Sequence, residues 1–327
     1  MKQIAGYGLI LIFVMFFCGC ATLDRTVPHT VTEPSYTPDI RPARLAVVLS
    51  GGALRGFAHI GVLRELRANG IEPDLIVGTS AGAIVGALYA SGMTDVEMDA
   101  AAEALDRDRM DILLDWTIPK FGLFKGETIH EFIDRHAKRQ EMELFPIRFA
   151  AVAVEAERAC LQVFNAGDIG KAVQASAAIP VVLAPVKISE RRYLDGALAS
   201  PLPVRVARAL GATHVIAVDV TFDPAERRFG NILESYWRTT LVMRRALAAN
   251  EWPDADYVLR PALPPESRIS FAGRSMLIEA GAMAVRNDLA PIRKALSTQS
   301  TIPPGVHPAL RTILCPEISF GQQSATR

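Results

Sequence analysis

The sequence has no surplus of charge: 35 Lys and Arg balance 35 Asp and Glu over 327 residues. Nucleic-acid binders normally carry a basic excess to meet phosphate, so that class is set aside. Cysteine is scarce. Cys18, Cys20, Cys160 and Cys315 are too few and too scattered for a disulfide scaffold or a paired zinc site. Cys160 in a strand-like run and Cys315 near the C-terminus read as unpaired thiols. The N-terminal apolar run falls short of a membrane span. Ile4–Phe17 is 14 residues, about 21 Å of helix against a hydrocarbon core of ~30 Å. Internal repeats and low-complexity blocks are missing. Half of the residues are apolar and the mean hydropathy is +0.21, which excludes a mainly disordered chain.

That short run follows Lys2 and ends at Cys18-Gly19-Cys20. A positive start, a short apolar core and small residues at its end describe a signal peptide rather than an anchor helix. Gly19-Cys20 resembles the lipobox of bacterial lipoproteins. The resemblance implies cleavage after residue 19 and acylation of Cys20, and Ala21 at the next position is compatible with the outer membrane of a two-membrane cell. Residues 20–42 are rich in Thr and Pro without periodicity and read as a flexible tether.

The folded part is expected over residues 43–296. Arg44–Ser50 is a continuous apolar run, as a strand buried on both faces requires. Gly51-Gly52 break it, and Phe57, Ile60, Leu63 and Leu66 then recur at helical spacing up to Asn69-Gly70. Asp74–Val77 is a second short strand, running into Gly78-Thr79-Ser80-Ala81-Gly82 and a helix of small residues, Ala83–Ser91, stopped by Gly92. Two strand–turn–helix units in succession predict a mostly parallel sheet with helices on both faces. Ile147–Glu155 and Cys160–Phe164 predict a hairpin. Helices are predicted over 169–178, 204–210, 229–250 and 273–296, with strands over 214–220 and 256–259. Residues 297–327 read as an irregular tail.

Three motifs carry chemistry. Gly78-Thr79-Ser80-Ala81-Gly82 is a G-x-S-x-G match between a strand and a helix, where a sharp turn lifts a serine hydroxyl above a sheet. Ser80 also stands at a helix N-terminus, which favours developing negative charge. Gly51-Gly52-Ala53-Leu54-Arg55-Gly56 is a glycine turn whose backbone N–H groups suit an oxyanion. A dinucleotide fingerprint would need Gly at 53, and Ala53 breaks it. Asp195-Gly196-Ala197 sets a carboxylate on a tight turn, although an Asp there is also an ordinary turn former.

Taken in order, these motifs resemble the patatin-like phospholipases. The resemblance extends to Phe57–Leu63, Gly122–Gly126 and Ala175–Pro180. It implies a three-layer α/β/α fold and a Ser80–Asp195 dyad without histidine. It further implies an oxyanion turn drawn from Gly51, Gly52, Ala53, Arg55 and Gly56, with the N–H groups of Gly52 and Ala53 as the expected donors and Arg55 orienting the loop, and an elbow flanked by Gly78 and Gly82. Ala53 stands where bacterial members usually carry a third glycine, and an alanine keeps the N–H donor. The expected activity is hydrolysis of acyl-lipid esters through an acyl-enzyme, with no metal or cofactor. A thioesterase or acyltransferase using the same dyad, and a non-catalytic lipid-binding lipoprotein, are the alternatives.

Other features are read more plainly. His214 and His307 are the histidines that a conventional triad would have available, and Asp219 is the second candidate base. His59 reads as structural, and Ser176 and Pro180 as the floor of the site. Residues 112–124 form an apolar stretch, either a cover over the core or a flap. Asp106-Arg107-Asp108 lacks the Gly and closing Glu of a calcium loop. The pairs Arg191-Arg192, Arg227-Arg228 and Arg244-Arg245 read as solvated surface.

Overall fold

The apolar runs become the inner strands of a sheet in the computed structural model, which describes residues 31–38, 43–107, 122–221, 232–264, 273–318 and 320. The expected signal segment with Cys20, residues 20–30 and 39–42 of the expected tether, the apolar stretch over 112–121, Arg227-Arg228 and the last residues 321–327 lie outside the described residues. The strands are β1 (Ala43–Leu49), β2 (Leu75–Thr79), β3 (Gly122–Phe124), β4 (Arg148–Glu155), β5 (Cys160–Phe164), β6 (Val181–Leu183), β7 (Val186–Ile188), β8 (Arg191–Asp195), β9 (Ala212–Val218) and β10 (Tyr257–Leu259). The helices are α1 (Phe57–Ala68), α2 (Ala81–Ala90), α3 (Asp95–Arg107), α4 (Glu127–His136), α5 (Ile169–Ser176), α6 (Val204–Ala209), α7 (Ile232–Glu251), α8 (Arg274–Ser297) and α9 (Pro308–Arg311).

The main sheet runs β10-β9-β1-β2-β4-β8-β7, with β5 added to β4. From β10 to β4 every pairing is parallel. β5, β7 and β8 form the antiparallel part. Side chains alternate across a strand, so each inner strand feeds two cores. Leu45, Val47 and Leu49 enter one with α1, α2, α5 and α8. Ala46 and Val48 enter the other with α6 and Ala248 of α7. Burial on both faces is why these strands read as unbroken apolar runs, and the expected three-layer α/β/α architecture is what forms.

Strand β4 organises the site. Its Val152 pairs with Thr79 at the end of β2, and its next residue, Ala153, pairs with Asp195 at the end of β8. Because β5 occupies the opposite edge of β4, β2 and β8 share one edge and meet end to end. Two strand ends distant in the sequence are thereby brought together on consecutive residues of one ruler strand.

Three expectations are corrected. The segment beyond 296 is not irregular throughout. It forms α9, and its Leu314 bridges Leu161 on the free edge of β5, with Leu161 N–H donating to Ile313 O at 2.6 Å and Cys315 N–H to Leu161 O at 3.0 Å. Cys160 and Cys315 are not free thiols but a disulfide. The described part of the tether, residues 31–38, also docks: Ser35 bridges Ala166, and Tyr36 packs edge-on against Phe320 at 5.4 Å between ring centroids. These contacts cover an otherwise open sheet edge, and their partners lie far apart in the chain, out of reach of local patterning.

Candidate active site

Ser80 occupies the sharp turn between β2 and α2 with φ 54° and ψ −120°. A non-glycine residue at positive φ stores strain of roughly 1–3 kcal/mol, and such strain is tolerated where the surroundings hold it in place. The flanking glycines permit the turn: a Cβ on Gly82 would sit 2.2 Å from Leu49 O, and one on Gly78 would sit 2.5 Å from Gly82 O. The Ser80 N–H donates to Ser176 Oγ at 3.0 Å, and Ser176 Oγ donates to Val152 O at 2.6 Å. Ser176 on α5 thus fastens the elbow to β4 and forms part of the floor of the site.

The Ser80 hydroxyl donates to Asp195 Oδ2 at 2.8 Å. The other carboxyl oxygen, Oδ1, accepts the Ala197 N–H at 2.7 Å, so the Asp195-Gly196-Ala197 turn orients its own acid. Gly196 is required by close approach, since a Cβ there would lie 2.2 Å from Val152 O. Asp195 is fully buried and Ser80 only 5% exposed. Burial pushes the Asp195 carboxyl above the usual carboxylate range; the charge of Arg244, the Ala197 N–H and the Ser80 hydroxyl partly oppose that shift. A raised carboxylate is a better match for a hydroxyl proton than an exposed one.

Gly51 N–H donates to Pro201 O at 3.0 Å and Arg55 N–H to Gly52 O at 3.1 Å, so neither backbone donor is open to substrate. Gly56 packs its Cα face on Ala81. The N–H groups of Gly52 and Ala53 have no acceptor among the described residues. Ala53 takes φ 49°. Arg55 is buried at 5% exposure and belongs to the framework of the turn.

Beside Ser80 lies an apolar cavity of about 230 Å³, walled by residues that include Leu54, Phe57, Ile84, Val85, Phe132, Ile179 and Leu183. Its lining is aliphatic and aromatic, as an acyl chain requires. A separate, smaller recess lies on the other side of the glycine turn and is lined by Gly51, Gly52, Ala53, Ala197, Pro201, Thr221, Leu241 and Arg244. Arg244 is therefore not solvated surface as its sequence suggested. Leu241, Arg244 and Ala248 fall on one face of α7, and the burial of Leu241 and Ala248 places Arg244 inward by helical periodicity. Arg245 donates to Asp219 at 3.0 Å, so this pair too is structural.

The remaining candidates fall away from Ser80. Asp219 accepts from Thr221 N–H and Oγ1, Arg245 and Trp252 Nε1, an engaged carboxylate and no base for Ser80. His214 Nε2 meets Thr298 O at 2.9 Å, and His307 caps α9. His59 is buried with its ring lowered to about 4, mainly by desolvation; the neutral ring donates from Nε2 to Ser50 O at 2.9 Å. Among the described residues, two side-chain groups are close enough to share an ion: Glu155 with Cys160 and Cys315, and His130 with Asp134 and Asp168. The first has its sulfurs joined to each other. In the second, the carboxylates hold His130 protonated, with a pKa raised to about 10. Neither group touches Ser80.

Residues 47–208 match the family model described as "Patatin-like phospholipase". An "Uncharacterized NTE family protein" of Mycobacterium tuberculosis is 34% identical over 177 residues, which are 54% of this chain and 49% of that protein. "Patatin-like phospholipase domain-containing protein 6" of Homo sapiens is 31% identical over 217 residues, 64% of this chain and 15% of that protein. The matched region thus spans about half the length of the mycobacterial relative and a smaller share of the human one. Among solved structures, VipD from Legionella pneumophila is 12% identical with a TM-score of 0.48, covering 80% of this chain and 71% of its own.

Proposed function

The chain belongs to the patatin-like phospholipase family through the region matched at 47–208, and from that premise we propose that it is a serine acyl-ester hydrolase acting on membrane lipids through Ser80 and Asp195. The observation that carries this reading is the 2.8 Å hydrogen bond from the Ser80 hydroxyl to a buried carboxylate, set between two open N–H groups and an apolar cavity.

The geometry supports the following sequence. A fatty-acyl chain enters the apolar cavity and places its ester carbonyl over Ser80. Ser80 Oγ attacks the carbonyl carbon while Asp195 Oδ2 takes the hydroxyl proton. The carbonyl oxygen gains negative charge beside the N–H groups of Gly52 and Ala53. The C–O bond to the alcohol breaks as Asp195 returns the proton to the leaving oxygen. Water then attacks the acyl-enzyme, again through Asp195, and frees the fatty acid.

Incubation with a fluorophosphonate probe and a short-chain nitrophenyl ester tests the reading. Labelling is expected at Ser80, lost in Ser80→Ala, and ester turnover is expected to fall at least about 10³-fold in Asp195→Asn. Full activity in either variant would refute it. The reading includes tethering through an acylated Cys20 to the cell envelope, at the outer membrane where there are two. Cys20→Ser should release the enzyme from the membrane fraction, and an unchanged distribution would count against the tether.

A further inference from the structure

Helix α4 and the start of α5 meet at a side-chain cluster that ester hydrolysis does not use. His130 and Asp134 stand one turn apart on α4, at the spacing that puts two side chains on one face. Asp168 is the N-terminal cap of α5. Both carboxylates converge on the same imidazole nitrogen: His130 Nε2 is 3.1 Å from Asp134 Oδ2 and 3.4 Å from Asp168 Oδ2. The three ligand atoms lie within 4.8 Å of one another.

That convergence depends on close packing. A Cβ on Gly170 would lie 2.3 Å from His130 Cδ2 and 2.5 Å from Asp134 Oδ1, so glycine leaves the room in which α4 closes on α5. Asp168 is aimed by its other oxygen, since Oδ1 accepts the Lys171 N–H at 2.9 Å. Asp134 is only half engaged. Its Oδ1 is buried and has no hydrogen-bond partner, whereas buried acceptors are normally satisfied. Two carboxylates thus share one imidazole. An imidazolium neutralises one of them; a neutral imidazole beside a dication leaves both neutralised.

The spacing suits a metal ion as well as a salt bridge. A tetrahedral Zn2+ with bonds of about 2.1 Å holds its ligand atoms about 3.4 Å apart. One imidazole with two carboxylates is a donor set for a transition metal of the zinc type, and the nitrogen disfavours Mg2+ and Ca2+, which take oxygen. The side chains of His130, Asp134 and Asp168 are 31%, 35% and 16% exposed, so an ion has access and water can take the fourth position.

We propose that His130, Asp134 and Asp168 bind a divalent ion of the zinc class, which clamps α4 to α5. On binding, the Nε2 proton passes to solvent and the freed lone pair binds the metal. The ion stiffens a wall of the site and takes no part in the chemistry at Ser80. Ile129 and Phe132 of α4 line the apolar cavity, and α5 carries Ser176, which holds the Ser80 N–H. The inference stands independently of the ester-hydrolase reading.

The test titrates ZnCl2 by calorimetry into the full-length chain after EDTA treatment, without reductant. One saturable site is expected, with a Kd in the micromolar range or below. His130→Gln and Asp134→Asn should each weaken it by at least the ~100-fold that loss of an outer-shell partner can reach. Asp134→Asn keeps the side-chain volume and the Asp168 pair, and it carries the test if His130→Gln shows no cooperative melting transition. Zinc should raise the melting temperature of the parent, EDTA should reverse the rise, and Asp134→Asn should show none. On the unsubstituted chain, zinc should slow amide hydrogen exchange over residues 127–136 and 168–171. No saturable zinc binding by the parent, undiminished affinity in Asp134→Asn, or exchange protection confined to other segments would each overturn the assignment. Mg2+ or Ca2+ binding as tightly as zinc would overturn the class of ion.

Discussion

Asp195 is held in a place that favours its reactivity over the stability of the fold. Burial raises its pKa in the folded chain, so the folded state binds the proton more tightly than the unfolded state, where an Asp titrates near 3.9. The stability this carboxyl contributes is therefore fully present below the unfolded value and is lost as pH rises through the folded one. Asn at this position keeps the acceptor for Ala197 and places an amide against Ser80 without the buried charge. Asp195→Asn is expected to melt at a higher temperature than the parent at pH 8 while turnover collapses, with the stability gap closing toward acid pH. Melting scans from pH 4 to 8 check it; a constant gap would mean that the carboxyl is not desolvated. Ala53 makes a second, smaller case. At φ 49° a Cβ costs about 1–2 kcal/mol, partly offset by the entropy that glycine adds to the unfolded chain, about 0.4–1 kcal/mol. Ala53→Gly should leave the melting temperature unchanged or slightly raised and should retain Ser80 labelling; a clear drop would contradict the left-handed backbone. Ser80 and Asp195 were legible in the sequence because their turns demand small neighbours at fixed spacing. Arg244 was hidden because a pair of arginines on a helix looks the same in sequence whether one faces water or a cavity.

Helix α7 carries Arg244 to the site, and one buried acid latches it there. Glu251 at the end of α7 accepts Ser200 Oγ at 2.6 Å and the Arg205 N–H at 2.9 Å. Ser200 in turn offers its carbonyl to Thr79 Oγ1 at 2.9 Å, so the latch reaches the residue before the nucleophile. Desolvation lifts Glu251 to about 7 from its ordinary 4.5. Its contribution to stability is full below about 4.5 and is lost as pH rises through about 7, a swing of order 3 kcal/mol by linkage. Glu251→Gln keeps a carbonyl oxygen for the Arg205 N–H and turns its NH2 to donate to the Ser200 hydroxyl, and should flatten the pH dependence of the melting temperature between pH 4.5 and 8. An unchanged slope would remove Glu251 as its source. The elements themselves were unevenly readable. The inner strands were plain from their apolar runs, and the β4–β5 hairpin from its polar turn. Helix α3 escaped, although it begins with a reciprocal cap: Glu97 Oε2 accepts the Thr94 N–H at 2.7 Å, and Thr94 Oγ1 accepts the Glu97 N–H at 3.3 Å. That T-x-x-E pattern was the available signal. The end-to-end meeting of β2 and β8 along β4 had no local signal, because it is a property of pairing.

At the scale of the whole molecule, the bond between Cys160 and Cys315 joins residues 155 apart in the chain. It ties the C-terminal segment to β5, on the opposite edge of β4 from β2 and β8. Closing so long a loop in the unfolded chain is worth up to about 5 kcal/mol in the chain-entropy description. Cys315→Ser, or reductant on the parent, should therefore lower the melting temperature by several degrees, and Ser80 should still be labelled below the transition because the elbow stands on the other edge. The same bond bears on the proposed export. Disulfides form and persist where the compartment is oxidising, and reducing pools keep thiols apart. If residues 1–19 direct export, as proposed, the exported chain should arrive with Cys160 and Cys315 joined; a chain lacking residues 1–19 and retained in the cytoplasm should carry both as thiols. Denaturation in maleimide without reductant distinguishes the two. The exported protein should gain no adduct at either cysteine, and the retained one should gain both and melt earlier. Free thiols in protein recovered from the envelope would break the link between export and the closed tail.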